Sequence, residues 1–217
     1  MLSSKKEGKT WRSSLGTLLL EVFLIVIGVM VALGANEWRE NRAIAQRTDT
    51  ALENIRQEIL RNQTALAKRL TYHEALRDSM QAYLPDLENI SLQDIDRNRL
   101  GMTRGFHFLL IYDAAWQTAL TSQILPYVEY ETLTTLSTIY QVQDNLKSSE
   151  ALLVELIITP DNFRTGNLFY AVLVALPAMN DVIGLERNLT SLYDKALKQL
   201  NPEAYTPPDS SAGSSSE

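Results

Sequence analysis

The sequence predicts an all-α protein: one N-terminal transmembrane helix that continues into a soluble helical bundle of about five helices. Three observations lead there. Residues 15–35 (LGTLLLEVFLIVIGVMVALGA) carry a single charge, Glu21, and as a helix are long enough to cross a hydrocarbon core of about 30 Å. From Ala35 to Leu84 there is neither glycine nor proline, so nothing stops that helix from running on into water. Apolar residues then recur at helical spacing almost to residue 200.

The first element is the anchor. Trp11 and Trp38 flank it, placed for the two headgroup levels where amphipathic rings settle. Its start also resembles a signal peptide, with Lys5, Lys6 and Lys9 before an apolar run and Ala32-Leu33-Gly34 as a small-x-small site. A signal core is about 7–15 residues long and this run exceeds it, so an uncleaved single-pass anchor is expected. Lys5, Lys6, Lys9 and Arg12 precede the span, against Arg39, Arg42 and Arg47 after it. That slight bias favours a cytoplasmic N-terminus and an extracytoplasmic helical domain.

The second element is a long membrane-proximal helix over 36–84, projecting on the order of 70 Å from the bilayer if uninterrupted. Its seam runs Leu52, Ile55, Ile59, Leu66, Leu76, Met80 and Tyr83 at three- and four-residue steps. Asn62, Arg69 and His73 occupy the remaining seam positions. Polar interruptions disfavour a long dry zipper, so packing within the domain is expected over self-pairing. Pro85 ends this helix.

Ser91 and Asp94 suggest a capping-box variant opening a short helix, with Gly101 placed to close it. Residues 106–112 (FHFLLIY) are too short to span a membrane, and read as a buried connector or a strand. Asp113 suits the cap of a helix through Trp116 and Leu120, and Pro126 the first turn of the next. That helix carries Leu133, Leu136, Tyr140, Leu146, Leu153 and Leu156 and ends at Thr159-Pro160. Residues 167–200 read as a helix irregular at Pro177, whose apolar 168–179 stretch is a core segment and not a second span. The domain is thus placed at 36–200, between a basic tail at 1–14 and a disordered Ser/Pro-rich tail at 201–217.

Composition excludes some chemistry. A net charge of −6 argues against a nucleic-acid partner, and the absence of cysteine removes disulfides and thiolate ligands. His73-Glu74-x-x-Arg77 begins like a zinc motif but has Arg77 where a second histidine is needed. With only His107 left, His73 is expected as a half-buried residue making one hydrogen bond. Gly101-Met-Thr-Arg-Gly105 lacks the ending of a phosphate loop, and no nucleophile elbow is present. No cofactor is therefore expected. Trp116, Tyr127, Tyr130, Tyr140, Phe163, Phe169 and Tyr170 are expected as core and not as a ligand-pocket lining.

Inside the span, Glu21, Gly28, Ala32 and Asn36 fall on one narrow face at about 100° per residue. Gly28-x-x-x-Ala32 lets a second helix approach closely, and a carboxyl at the depth of Glu21 calls for a proton or a partner. These four are the candidate helix–helix interface, toward a second copy or another membrane protein. In the competing reading, Glu21 snorkels to the headgroups.

The run Glu21, Gly28, Ala32, Asn36, Trp38 and Arg39, followed by a charged helix with Glu58 and Asn62, resembles a family of bacterial single-pass membrane proteins of unknown function. Its members carry an E…GxxxAxxxNxW spanning segment before a helical domain. Ala115 to Leu120 and Leu133-x-x-Leu136-x-x-x-Tyr140 are similar to that family's next two helices. The resemblance implies the architecture, a bacterial source and hence an inner-membrane location, but no activity. The expected function is a membrane-anchored interaction or sensory module. A membrane-tethered enzyme with an unrecognised site in the bundle is the alternative, and a spacer that holds the bundle off the bilayer is a third reading.

Overall fold

The computed structural model describes residues 11–90, 94–96, 98–101, 105–108, 110–158 and 167–201, the side chains of 11–15, 89, 157, 158 and 167 aside. Residues 1–10 and 202–217, Ser91 and Phe163 lie outside them, and with them most of both expected tails and the capping serine; residues 11–14 of the expected basic tail are the first of the leading helix. All regular structure among the described residues is helical. Among them are four α-helices: α1 (Trp11–Tyr83), α2 (Ala114–Thr121), α3 (Tyr130–Ile158) and α4 (Asn167–Leu200). Two compact units divide the chain, Met1–Arg47 and Thr48–Glu217.

In the first unit α1 presents its apolar side chains outward, Leu19, Met30 and Val31 among the most exposed. Two helices are long and apolar enough to cross a membrane, α1 through its N-terminal part and α4. They differ in burial. None of the α1 apolar window is buried in the protein, whereas a third of the α4 window is. Ala171, Val172, Ala175 and Met179 of α4 point into the core, as a packed helix requires.

In the second unit the seam of α1 is the spine of the core. Ile55, Ile59, Leu66, Leu76, Met80 and Tyr83 are all buried, packed with Leu136, Ile139, Leu146 and Leu153 of α3 and Val182, Leu189 and Tyr193 of α4. Side-chain pairs fix the helix directions. Gln63–Asp194 (2.6 Å) and Arg69–Glu186 (2.6 Å) make α4 antiparallel to α1. Glu58–Tyr140 (2.8 Å) and Arg69–Glu150 (3.0 Å) make α3 parallel to α1.

Parallel neighbours need a return path, and residues 84–113 supply it without forming an α-helix among the described residues. Among the described residues four α-helices are seen where about five were expected; the short helix expected from Ser91 falls in part on residues outside them. Pro85 lies in a 3₁₀ turn, Leu84–Asn89, directly after α1. Residues 98–101 form a turn closed by Gly101 N–H to the Asn98 carbonyl, 3.0 Å. Gly101 is required there twice over: its φ is +76°, and a Cβ would meet Ser79 Cβ at 3.0 Å. The described residues of the 106–112 run, Leu109 aside, are an irregular connector and not a strand, with Ile111 buried but Leu110 and Tyr112 exposed. Pro126 also departs from expectation, in a short 3₁₀ turn, Leu125–Tyr127, ahead of α3. Glu129 caps α3 instead, accepting from the Glu131 and Thr132 N–H groups at 2.9 and 2.7 Å.

Candidate functional site

Two places in the chain concentrate polar groups in apolar surroundings. The first is the face of α1 that carries Glu21, Gly28, Ala32 and Asn36. All four are exposed, and a Cβ built on Gly28 would meet nothing within 4 Å among the described residues. Asn36 Oδ1 accepts from Arg39 at 3.3 Å, which leaves its amide N–H groups to face outward. Trp38 is exposed, with the Arg42 guanidinium 5.5 Å from its ring centre. The Trp11 side chain lies outside the described residues.

The second place is inside the bundle. Glu58, Asn62, Arg69 and His73 stand on the seam face of α1 at most 2% exposed, each committed to a partner. Glu58 Oε2 accepts the Ala115 N–H at 2.8 Å, and Glu58 Oε1 accepts the Tyr140 hydroxyl at 2.8 Å. Ala115 is the second residue of α2, so a carboxylate from α1 satisfies a free N–H at the positive end of that helix. Burial, with the Glu58 charge beside it, pushes the Tyr140 hydroxyl well above the ordinary phenol range and keeps it a donor. Trp116 stacks on the same Tyr140 ring at 4.9 Å. Asp113 occupies the cap position of α2, yet its side chain does not cap; Lys147 of α3 holds it at 3.0 Å.

Asn62 reads the backbone of the connector. Its amide donates to the Tyr112 carbonyl at 2.7 Å and its oxygen accepts the Tyr112 N–H at 2.9 Å. One turn and more further along, the Arg69 Nε–H donates to Glu186 Oε1 at 2.6 Å. Arg69 Nη1 lies 3.0 Å from Glu150 Oε1, an ion-pair contact off hydrogen-bonding alignment. His73 Nδ1 meets the same Glu186 Oε1 at 2.9 Å, and His73 Nε2 meets the Phe106 carbonyl at 2.8 Å. Burial raises the Glu150 carboxyl above its ordinary range, and the Arg69 charge opposes that rise. Tyr72 adds a hydroxyl bond to the Gly105 carbonyl. The anchors at 58, 62, 72 and 73 thus hold Gly105, Phe106, Tyr112 and Ala115 along α1, in the opposite chain direction.

His73 departs from expectation: it is fully buried and makes two hydrogen bonds, because it sits on the seam where α4 and the connector both close over it. Glu74 pairs outward with Arg187 at 3.1 and 2.5 Å, and Arg77 with Asp78, so the zinc-like triplet is dispersed over α1. No three His, Cys, Asp or Glu side chains among the described residues are grouped to hold a metal. Of the aromatics expected in the core, Trp116 and Tyr140 are there and Phe169 packs against it, but Tyr127, Tyr130 and Tyr170 are exposed. The first two of these three fall at the 3₁₀ turn and at the first residue of α3, where the chain is rounding the end of the bundle. An open cavity of about 290 Å³ lies at that end, lined in part by Asp49, Arg56, Glu129 and Gln199.

No known family, curated protein or solved structure matches the chain. The resemblance at Glu21 to Arg42 therefore stands on those residues, and the interior network on its own geometry. Glu150 and Glu186 are partners that sequence reasoning missed. The signal that finds them is the seam itself: a charge on a buried stripe demands a counter-charge, and both glutamates lie at core spacing on α3 and α4.

Proposed function

We propose that this chain is a non-enzymatic, membrane-anchored helical module that associates through the N-terminal part of α1. The observation that carries the proposal is the wholly unburied apolar window of α1, in which Glu21, Gly28, Ala32 and Asn36 share one face. A helix this apolar is stable in hydrocarbon, where only side-chain packing and interhelical hydrogen bonds remain to drive association. Gly28 and Ala32 allow the close approach, and Glu21 and Asn36 supply polar contacts that a second helix would satisfy. The partner is a second copy or another membrane protein, and the bundle serves as its interaction or sensory part. By its resemblance and its Lys/Arg bias the chain belongs in a bacterial inner membrane, crossing once, with the bundle outside the cytoplasm.

The test is Gly28→Leu, read by energy transfer between labelled copies in membranes and by partner capture with the full chain. Loss of either association is expected, because the leucine side chain holds the helices apart. Both persisting at wild-type level would overturn the interface. Topology reporters fused to the C-terminus test the orientation: activity of the reporter that works only outside the cytoplasm is expected, and activity of the cytoplasmic one alone would reverse it.

A further inference from the structure

The geometry around His73 points to a proton-operated latch: we infer that His73 holds the 105–108 segment against α1 only while both of its ring nitrogens carry protons. His73 Nδ1 faces Glu186 Oε1 at 2.9 Å and His73 Nε2 faces the Phe106 carbonyl oxygen at 2.8 Å. Both partners are acceptors. A carbonyl oxygen has no proton to give, and Glu186 Oε1 is already the acceptor of the Arg69 Nε–H at 2.6 Å. A neutral imidazole owns one N–H and leaves a lone pair on the other nitrogen. In this setting it satisfies one contact and sets lone pair against lone pair in the other. The imidazolium satisfies both.

Charge balance supports the same state. The groups facing His73 are Arg69 from its own helix, Glu186 from α4 and, beyond Arg69, Glu150 from α3 with Lys147 near it; the connector contributes the Phe106 carbonyl and the Phe108 ring, 5.7 Å away and edge-on. With His73 charged, the cluster that Arg69 and His73 form with Glu186 and Glu150 pairs two cations with two carboxylates; Glu58, the further buried carboxylate of α1, is held by Ala115 and Tyr140. With His73 neutral, the cluster buries an excess negative charge, which a low-dielectric interior penalises.

The order of release follows. When rising pH removes one proton, the remaining N–H stays with the buried carboxylate, because a charge-assisted bond is the stronger. The Nε2 lone pair then opposes the Phe106 carbonyl. The connector contact is the one that opens, and Tyr72–Gly105 beside it loses its neighbour. Glu58 and Asn62 still hold 112–115, so release is local to one stretch. The latch is independent of the reading of α1 as a membrane anchor, since every group in it lies in the second unit.

Nitrogen-detected NMR of the full chain in detergent tests the state directly. His107 is the only other histidine, and His107→Gln leaves one ring to observe. While the 106–108 amides are protected, both His73 nitrogens are expected to be protonated. As pH rises and one proton leaves, the amide protection of residues 106–108 should fall about tenfold or more, after correction for intrinsic exchange, while that of α3 is unchanged. In His73→Gln the protection of these amides should no longer respond to pH. A neutral tautomer with the segment still protected would overturn the inference, and so would protection that survives deprotonation of the ring.

Discussion

Arg69→Met removes the guanidinium that two core carboxylates face, and the structure sets the size of the penalty. Arg69 is 1% exposed, with Glu186 at 2.6 Å and Glu150 at 3.0 Å. Methionine fills much the same stem volume, so the loss is electrostatic and not a cavity. Orphaning a buried charge by deleting its partner costs about 3–5 kcal/mol, against a total stability of about 5–15 kcal/mol for a domain. Glu150 moderates this. Its carboxyl is already raised by burial and its side chain retains some solvent contact, so without Arg69 it can take a proton, whereas Glu186 is sealed and keeps only His73. A loss of about 3 kcal/mol at neutral pH is therefore expected, and less in mild acid. The assay is urea unfolding of the detergent-solubilised chain, followed by Trp116 fluorescence in a Trp11→Phe, Trp38→Phe background. Trp116 is buried on Tyr140 and reports on the bundle core alone. At a slope of about 1–3 kcal/mol per molar urea the midpoint should fall by more than about 1 M. Adding Glu150→Gln should recover part of the loss, with a coupling energy of at least about 0.5 kcal/mol. A loss under about 1 kcal/mol, or strict additivity, would refute a tightly paired ionic core.

The remaining predictions use the same readout. Asn62→Ala strips both partners from the Tyr112 peptide group and should cost about 2–4 kcal/mol; a change near zero would show that water replaces the amide. Gly101→Ala forces a Cβ into a position at φ +76° and 3.0 Å from Ser79, for an expected loss of at least about 1 kcal/mol. Glu150 makes stability depend on pH. Its folded-state carboxyl is raised above the unfolded one, so the stability it contributes is complete below the ordinary carboxyl range, near 4.5, and is lost as pH rises through the raised value. Glu150→Gln should flatten the change in urea midpoint over that interval, and an unaltered slope would assign it to other groups.

Most of the helical frame was legible. The spacing of Ile55, Ile59, Leu66, Leu76, Met80 and Tyr83 marks the buried stripe because a 3-4 repeat keeps one face inward, and every one of these residues is in the core. The continuity of α1 followed from the lack of any residue able to break it between Ala35 and Leu84. The return segment was less legible. Backbone groups in and just after it are satisfied by Glu58, Asn62, Tyr72 and His73, which lie 57, 50, 33 and 33 residues away. No local rule of propensity or capping contains those bonds. The same distance explains Asp113: its local sequence suits a cap, but Lys147 takes its carboxylate and Glu58 satisfies the helix end.

The polar seam residues are therefore better understood as instructions than as interruptions. Asn62, Arg69 and His73 read as weakness if α1 is imagined against another apolar helix. Inside this bundle each has a complement that only one arrangement of the chain provides: a peptide group of the connector, carboxylates of α3 and α4, a carboxylate and a carbonyl together. An apolar seam would have let α3, α4 and the return segment slide by a turn at small cost, whereas a displaced buried charge loses its counter-charge outright. Parallel packing of α1 and α3 makes that registration necessary, since the chain must return toward the start of the bundle before α3 begins. The single-mutant costs above should accordingly exceed the cost of replacing Arg69, His73, Glu150 and Glu186 together by apolar residues, and the quadruple variant should keep its stability while losing the protection of the 105–108 amides.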